Sequence, residues 1–239
     1  MCTVTKIKSI VFEVGGKRDL PNDIEVGVSE YWNILLEKYP RIFNGQLYSV
    51  KNIENTDGDI VLKCEQSDYA HYKYSETHDL GQYACKSTYA GCLLVSADGK
   101  IFVSLNGAGS EFVGKIQFIG GVIDHGDKDV DGKIDPKLTA FRELEEETGK
   151  EIRDSIIKIG KSYLITDGHK VGVQTVLHSK MNADEIFFAF ERFKNASGND
   201  EINRLVAFDN DNKDFCDTFK ENQDIGVIDL LNMVIEEKE

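Results

Sequence analysis

The residues best suited to chemistry are three glutamates within a short acidic stretch. Residues 142–149 read Arg-Glu-Leu-Glu-Glu-Glu-Thr-Gly, in which Glu143, Glu146 and Glu147 stand at i, i+3 and i+4. In a helix this spacing brings three carboxylates onto one face within about one turn. A hard divalent cation relieves their mutual repulsion, because Mg²⁺ takes oxygen ligands. The spacing therefore predicts a metal site, and the alternative is a solvated acidic helix face.

The flanking residues predict the helix that carries these carboxylates. Asp135 is a suitable N-cap, Pro136 fits the first helical position and Gly149 fits the residue after the last turn. Apolar residues recur at helical spacing along one side: Leu138, Phe141 and Leu144. At about 100° per residue this stripe lies roughly opposite the three glutamates. We therefore expect one face to pack on a sheet and the other to present carboxylates to a cleft.

With the glycine pair Gly120-Gly121 upstream, the segment resembles the Nudix hydrolase box, G-x5-E-x7-R-E-U-x-E-E-x-G-U, in which U is aliphatic. The matching residues are Gly121, Arg142, Glu143, Leu144, Glu146, Glu147 and Gly149. The resemblance implies an α+β fold, an α/β/α sandwich with a mixed sheet. It also implies a hydrolase that uses Mg²⁺ (or Mn²⁺) to direct water at a nucleoside diphosphate linked to another group, X.

The same resemblance assigns roles within the box. The implied metal ligands are Glu143, Glu146 and Glu147, and the first two of these are also the implied catalytic carboxylates of the box. Arg142 would orient one of these carboxylates. Gly120 and Gly121 would shape the loop beneath the metal and contact the substrate.

The general base is the least defined of the implied residues. In this family it is either a box glutamate or an acid from a distal loop. Glu201 follows the turn-rich segment 195–200 and is the distal candidate, with Asp184 and Glu185 as alternatives. His125 lies close to the glycine pair and is either a phosphate contact or a polar loop residue.

The chain departs from the family pattern at three positions. Asp127 stands where the family has its first Glu, and Lys150 stands at the final aliphatic position. The spacer before Arg142 comprises residues 128–141, fourteen residues where the family has seven. The extra residues precede the helix, in a loop, where added length is tolerated best.

The insertion itself resembles the start of an EF-hand calcium loop. The matching residues are Asp127, Asp129, Asp131, Gly132, Ile134 and Asp135. The twelfth position of such a loop is a bidentate Glu, and here it is Leu138. We interpret the insertion mainly as a solvated acidic turn, with weak Ca²⁺ or second-metal binding as the alternative.

Composition limits the partners. The chain has 239 residues, 41% of them hydrophobic, and a net charge of −14 from 42 acidic and 28 basic residues. Nucleic-acid surfaces normally need a basic stripe, so we expect no nucleic-acid partner. No stretch approaches a membrane span, and no apolar segment of a signal peptide follows Met1. We expect a cytoplasmic protein that acts on a small molecule.

The cysteines predict reduced thiols. Their number is odd and none stands in C-x-x-C spacing: Cys2, Cys64, Cys85, Cys92 and Cys216. This pattern favours free thiols in a cytosolic protein over a disulfide framework or a zinc site.

Hydrophobic periodicity and turn residues predict two units, residues 1–85 and residues 86–239. The first is a small α+β unit with strands at 7–14, 47–53 and 60–64 and a helix at 29–39. The second is the Nudix domain, with a hairpin at 89–96 and 101–105, strands at 156–166 and 181–193, and a C-terminal helix at 224–237.

The first unit carries a weaker resemblance that bears on the substrate. Trp32 and the segment 39–47, Tyr-Pro-Arg-Ile-Phe-Asn-Gly-Gln-Leu, are similar to a W…NP-x-LFNG-x-x segment of the UDP-sugar pyrophosphatase branch. The resemblance implies that this unit holds the uridine, with Phe43 and Asn44 binding the substrate, and that UDP-glucose yields UMP and glucose 1-phosphate. The bland alternative is that Phe43 and Trp32 are core aromatics beside an Asn44-Gly45 turn.

Several alternatives stay open from the sequence. The substrate can be ADP-ribose or another nucleoside diphosphate, or the chain can be a non-catalytic Nudix module that binds a nucleotide. The oligomeric state is also open, with a homodimer as one option.

Overall fold

The structure is a computed structural model that describes residues 2–40, 42–110, 112–124, 126–209 and 227–236. The strands are β1 (Thr3–Ile7), β2 (Ser9–Lys17), β3 (Gln46–Thr56), β4 (Asp59–Asp68), β5 (Ser87–Val95), β6 (Ile101–Asn106), β7 (Ile116–Gln117), β8 (Ile119–Val122), β9 (Ile156–Thr166), β10 (Lys170–Ser179) and β11 (Ile202–Phe208). The helices are α1 (Asn22–Lys38), α2 (Tyr69–Thr77), α3 (Pro136–Thr148), α4 (Lys150–Asp154), α5 (Ala183–Ser197) and α6 (Val227–Glu236), with a short 3-10 helix at Gly81–Tyr83.

The sheet is mixed and organised around β5. The strand order is β1-β9-β10-β5-β3-β4-β2, and β6, β7, β8 and β11 branch from this path. β5 pairs in parallel with β10 along its length, and antiparallel with β8 in its first half and with β6 in its second half. β5 is therefore the strand from which the site-bearing segments are positioned.

Helices cover both faces of this sheet. The side chains of β5 point alternately to the two faces, so each face has apolar residues that pack against helices. On one face, Leu93 and Val95 pack in a cluster with the apolar residues of α6. On the other face, Cys92 and Leu94 pack in a cluster with α3, α4 and α5. The predicted α+β class and its α/β/α layering are confirmed.

The sheet curls back on itself because its two end strands are consecutive in the chain. β1 and β2 lie at opposite ends of the strand order and are separated by Lys8 alone. The buried cluster on the inside draws on both predicted units: Ile7, Tyr48, Val50, Ile60, Leu62 and Cys64 with Ala90, Ile123, Ile134, Leu164, Val171 and Val173. Residues 1–85 thus share a core with the rest of the chain, and a unit boundary near residue 85 stays a prediction.

Two secondary-structure predictions need correction. The strand predicted at 181–193 is wrong, because this segment forms α5, where Asn182 and Glu185 make a reciprocal capping box. The strand that precedes α5 is β10, which the sequence analysis missed. Helix α1 begins at Asn22, well before the predicted residue 29, directly after Pro21. The predicted C-terminal helix is present as α6 (Val227–Glu236), and its first and last predicted residues lie outside the described ranges.

The cysteines in the described ranges are free thiols: Cys2, Cys64, Cys85 and Cys92. Cys216 lies outside these ranges. None of the helices in the described part of the chain has the length and apolar character that crossing a bilayer requires.

Two glycines allow β5 and β8 to approach each other more closely than other residues would. A Cβ added at Gly120 would lie 2.6 Å from Gly91 Cα and 2.7 Å from the Ala90 carbonyl oxygen. A Cβ at Gly91 would lie 2.3 Å from the Ile119 carbonyl oxygen. The neighbouring atoms are backbone, so neither contact can be relieved by a side-chain rotation.

We predict that Gly120→Ala lowers the free energy of unfolding by about 1–3 kcal/mol, because the β5–β8 backbones must separate. Gly168→Ala is the matched control, since a Cβ there would meet nothing within 4 Å, and its effect should stay within about 0.5 kcal/mol. Denaturant unfolding of both variants measures the difference. Equal stability of the two variants would contradict the close-approach argument.

Candidate active site

Helix α3 begins and ends where the sequence predicts. The Asp135 side chain accepts a hydrogen bond from the Lys137 N–H at 3.0 Å, and Pro136 occupies the first turn. Gly149 ends the helix with φ of 94°, a conformation that favours glycine, and its N–H donates to the Glu145 carbonyl at 2.9 Å. The caps fix which residues of α3 reach the sheet.

The buried face of α3 differs from the predicted one. The buried positions include Pro136, Ala140, Leu144 and Glu147, whereas Leu138 is 40% exposed. The predicted stripe opposite all three glutamates is therefore wrong, because Glu147 shares the buried face with Leu144 and is 4% exposed. The alternative of a fully solvated acidic face is wrong for the same residue.

The predicted glycine pair makes room for two of the carboxylates. A Cβ added at Gly121 would lie 2.2 Å from Oε1 of Glu143. The Gly120 N–H lowers the pKa of Glu147, against the larger raising effect of burial, and Oε2 of Glu147 is buried with no hydrogen-bond partner. Gly120 and Gly121 thus lie directly beneath the carboxylates of α3.

Arg142 is the charged centre of this cluster. Its Nε and Nη2 donate to the two carboxylate oxygens of Asp127, each at 3.0 Å. Its Nη1 donates to Glu143 Oε1 at 2.7 Å and to Glu146 Oε2 at 3.1 Å. The bond to Asp127 is the main reason that the pKa of Arg142 is raised. Arg142 thus contacts Asp127 together with two of the three glutamates of α3, Glu143 and Glu146.

The insertion folds into a closed turn beside this ion pair. Lys128 and Ile134 form a β-bridge, and the Asp135 N–H donates to the Asp127 carbonyl at 3.2 Å. Within the turn, Oδ1 of Asp129 accepts from the N–H groups of Asp131 and Lys133, each at 2.9 Å. Asp127 itself is 3% exposed and bound to Arg142. The two EF-hand-like carboxylates Asp127 and Asp129 thus already have protein partners.

The carboxylates of the cluster shift one another's proton affinities. Burial raises the pKa of Glu143 to about 7, with smaller contributions from the charges of Glu146 and Glu201. Burial raises the pKa of Glu147 well above its ordinary value, and the charges of Glu143 and Glu201 add to the effect. The cluster therefore favours either protons or an added cation.

Glu201 joins this cluster from the loop after α5. Burial and the charge of Glu146 raise its pKa. The alternative distal acids lie elsewhere: Asp184 and Glu185 are in the first turn of α5, where Glu185 takes part in the capping box. Of the three distal candidates, Glu201 is the one brought to the box glutamates.

A cavity of about 800 Å³ opens beside these residues. Its lining combines box residues with residues of the N-terminal part: Ile42, Phe43, Gly45, Gln46, Leu47, Tyr69, Gly109, Val122, Asp124, Gly126, Arg142, Glu143 and Glu201. The Phe43 side chain is 79% exposed at this cavity, which contradicts its reading as a core aromatic. The lining of the cavity thus combines apolar and aromatic side chains with carboxylates.

The other predicted site residues have different surroundings. Asn44 is not among the lining residues, and its Oδ1 accepts from the Ala70 N–H at 2.7 Å near the start of α2. His125 lies outside the described residues. Two lining residues were missed by the sequence analysis, Asp124 and Gln46. Asp124 stands three residues after Gly121, and Gln46 lies within the segment 39–47 that carries the weaker resemblance, so each had a usable signal.

In the described part of the chain, no three His, Cys, Asp or Glu side chains are arranged as a ready metal-binding group. In the box, Arg142 Nη1 contacts both Glu143 and Glu146. The acidic oxygens are present, and a cation would have to share them with this guanidinium.

Comparison with solved structures gives matches of low identity. The MutT protein from Methanosarcina mazei Go1 is 14% identical, with 64% of this chain and 96% of that chain covered and a TM-score of 0.42. The Deinococcus radiodurans protein DR0079 is 13% identical, with 79% and 98% covered and a TM-score of 0.46. A Nudix hydrolase from M. smegmatis, RenU, is 13% identical, with 64% and 86% covered and a TM-score of 0.41.

These similarities do not by themselves assign a family or an activity. Neither the family models nor the curated protein sequences give a match to the chain. The functional argument therefore depends on the residues of the site.

We predict that the metal-free protein loses stability as pH rises from about 4.5 to above 7, and that Glu143→Gln loses less. Burial raises the pKa of Glu143 from 4.5 to about 7, so in this window the folded state binds more protons than the unfolded state and the free energy of unfolding falls with pH. The contribution is fully present below the lower value and is lost above the upper one. A shift of this size corresponds to on the order of 3 kcal/mol.

Unfolding in EDTA across this pH range measures the effect. Glu145→Gln is the control, because Glu145 lies on the same helix and faces Arg153 at 3.6 Å, away from the cluster. Parallel stability–pH curves for the wild type and Glu143→Gln would contradict the prediction.

Proposed function

We propose that this chain is a Nudix-type pyrophosphohydrolase that uses Mg²⁺ or Mn²⁺ to hydrolyse a nucleoside diphosphate linked to another group. The observation that carries the proposal is the convergence of half-buried Glu143 and buried Glu147 with Glu201 beside a cavity of about 800 Å³. Pockets of this size suit a small organic ligand.

The donor set fits a hard divalent cation. Glu147 has a buried carboxylate oxygen without a partner. Burial raises the pKa of Glu143 and Glu147, and the neighbouring carboxylates add a smaller contribution. A bound cation would stabilise these carboxylates in their ionised form. Their oxygens are the kind of ligand that Mg²⁺ prefers. We assign Glu143, Glu146 and Glu147 as its ligands. When bound, such an ion neutralises pyrophosphate charge and lowers the pKa of a coordinated water.

The protein's own groups have distinct tasks in this proposal. Arg142 is bound to Asp127, Glu143 and Glu146, so it orients carboxylates and is not free to hold the substrate. Glu201 is our general base, since a carboxylate with a raised pKa is closer to the working pH and accepts a proton from water more effectively. Gly121 leaves room for the Glu143 carboxylate, and Gly120 and Gly121 would lie beneath the metal and contact the substrate.

For the substrate we propose a nucleotide sugar, UDP-glucose or a close relative, giving UMP and a sugar 1-phosphate. The support is the composition of the cavity wall: the rings of Phe43 and Tyr69 offer stacking surfaces, and the Gln46 amide offers a donor and an acceptor. Residues 1–85 would then act as the specificity element of a catalytic unit at 86–239. ADP-ribose and other nucleoside diphosphates are the alternative substrates.

The principal alternative function is a non-catalytic module that binds a nucleotide. A buried carboxylate cluster is unfavourable unless a cation or proton compensates it, and a purely binding site has no need of it. The proposed setting is a cytoplasmic one with a small-molecule partner and neither nucleic acid nor membrane, in keeping with the net charge of −14.

We predict that Glu147→Gln, like Glu146→Gln, keeps the fold but lowers kcat by about two orders of magnitude or more, because the metal loses a charged oxygen ligand. Glu145→Gln should keep near wild-type turnover. Product release with Mg²⁺ and with EDTA is the measurement, and circular dichroism checks the fold. Unchanged kcat in both variants would remove the metal assignment.

We predict that UDP-glucose is cleaved better than ADP-ribose by at least about tenfold in kcat/KM, which needs about 1.4 kcal/mol of differential transition-state binding. Phe43→Ala should lose about tenfold in kcat/KM for the preferred substrate through lost stacking. Phe188→Ala is the control, because Phe188 is also exposed but belongs to α5.

A screen of nucleoside diphosphate sugars, ADP-ribose, dinucleoside polyphosphates and coenzymes, with products identified by mass, tests both levels of the proposal. Preference for ADP-ribose would overturn the UDP-sugar substrate alone. Tight nucleotide binding without any Mg²⁺-dependent product would instead favour the non-catalytic module.

A further inference from the structure

We infer that Asn199 is a positioning residue that holds Glu201 against the carboxylate helix α3. The inference deepens the proposed function and rests on it for the role of Glu201. Asn199 lies in the loop between α5 and β11 and is half-buried. Its Oδ1 accepts a hydrogen bond from the Glu201 N–H at 2.9 Å, and its Nδ2 donates to the Glu146 carbonyl at 3.3 Å. One side chain therefore connects the backbone of Glu201 to the backbone of a box glutamate.

A second contact fixes the other backbone polar group of the same residue, Glu201. The Gly107 N–H donates to the Glu201 carbonyl at 2.7 Å, and the Gly109 N–H donates to the Asp200 carbonyl at 3.1 Å. A Cβ added at Gly107 would lie 2.2 Å from the Asp200 carbonyl oxygen. Both the N–H and the C=O of Glu201 are thus occupied, one by Asn199 and one by the loop after β6.

This double attachment matters because Glu201 lies just outside the regular sheet. β11 begins at Ile202, whose register partner is Asn106. The ladder therefore constrains Glu201 less than it constrains the residues that follow. The link from Asn199 to Glu146 sets the distance between the loop and α3, which determines how close the Glu201 carboxylate comes to the cluster.

The asparagine amide suits this task because it supplies one acceptor and one donor at the same time. Asn199→Asp keeps the acceptor for the Glu201 N–H and loses the donor to Glu146. Asn199→Ala loses both. Asn195→Ala is the matched control: it removes the same side chain from an exposed position at the end of α5, four residues earlier.

The first measurement is independent of catalysis. We expect hydrogen exchange at the Glu201 amide of the metal-free protein to rise by about tenfold or more in Asn199→Ala, to change less in Asn199→Asp, and to stay unchanged in Asn195→Ala. Exchange in β11 and α3 should stay at wild-type rates in all variants, which separates local release from unfolding. Unchanged exchange at Glu201 in Asn199→Ala would overturn the inference.

The second measurement concerns the reaction. We expect Asn199→Ala to lower kcat by about tenfold or more with little change in KM, because a displaced base affects the transition state more than substrate binding. Mn²⁺ affinity, measured by electron paramagnetic resonance, should be unchanged, with partial recovery of kcat in Asn199→Asp. Faster hydrogen exchange at the Glu201 amide in Asn199→Ala, together with a wild-type kcat, would overturn the positioning role. A wild-type protein that hydrolyses nothing in the screen would overturn the proposed function and this catalytic role together, while the exchange data would still decide whether Asn199 holds Glu201.

Discussion

The site depends on the ion pair between Arg142 and Asp127. Two parallel hydrogen bonds join the guanidinium to the buried Asp127 carboxylate, and this bidentate geometry fixes the orientation of Arg142. The remaining Nη1 is then directed at Glu143 and Glu146. Without Asp127 the guanidinium would lose the two hydrogen bonds that set its orientation and would be held less firmly against the box carboxylates. The acidic cluster is therefore built around one positive charge whose own position is set by a carboxylate outside the helix.

The same cluster explains why the backbone around it is so rich in glycine. Carboxylates can be buried under α3 only if the strand below leaves room, and Gly121 leaves that room for Glu143. Gly91 and Gly120 allow the two strands beneath to approach. The loop at Gly107 does the same for the segment that carries Glu201. In each case the glycine is required by close approach of backbone or carboxylate, and the resulting crowding brings acids together where water cannot fully solvate them.

The sequence predicted what local rules determine and missed what tertiary packing determines. The N-cap at Asp135, the end of α3 at Gly149 and the hairpin of β5 and β6 follow from residue types within a few positions. The burial of Glu147 does not follow from nearby residue types. It depends on the space that Gly120 and Gly121 leave on the strand below, and the hydrophobic periodicity of α3 carries no information about that space. The helix α5 was mistaken for a strand because its Ile-Phe-Phe-Ala-Phe run is apolar at every position, whereas the capping box before it was the better signal.

The insertion in the box illustrates the difference between sequence spacing and spatial spacing. The Nudix pattern that the segment resembles has seven residues between its first acid and its arginine, and this chain has fourteen. Yet the Lys128–Ile134 bridge and the hydrogen bond from the Asp135 N–H to the Asp127 carbonyl return the chain to its starting point. The extra residues leave and rejoin beside Asp127, so its carboxylate still meets Arg142. The site requires that Asp127 and Arg142 form their ion pair. A closed turn can satisfy this requirement at different lengths, because the entropy cost of closing a loop grows only slowly with its length.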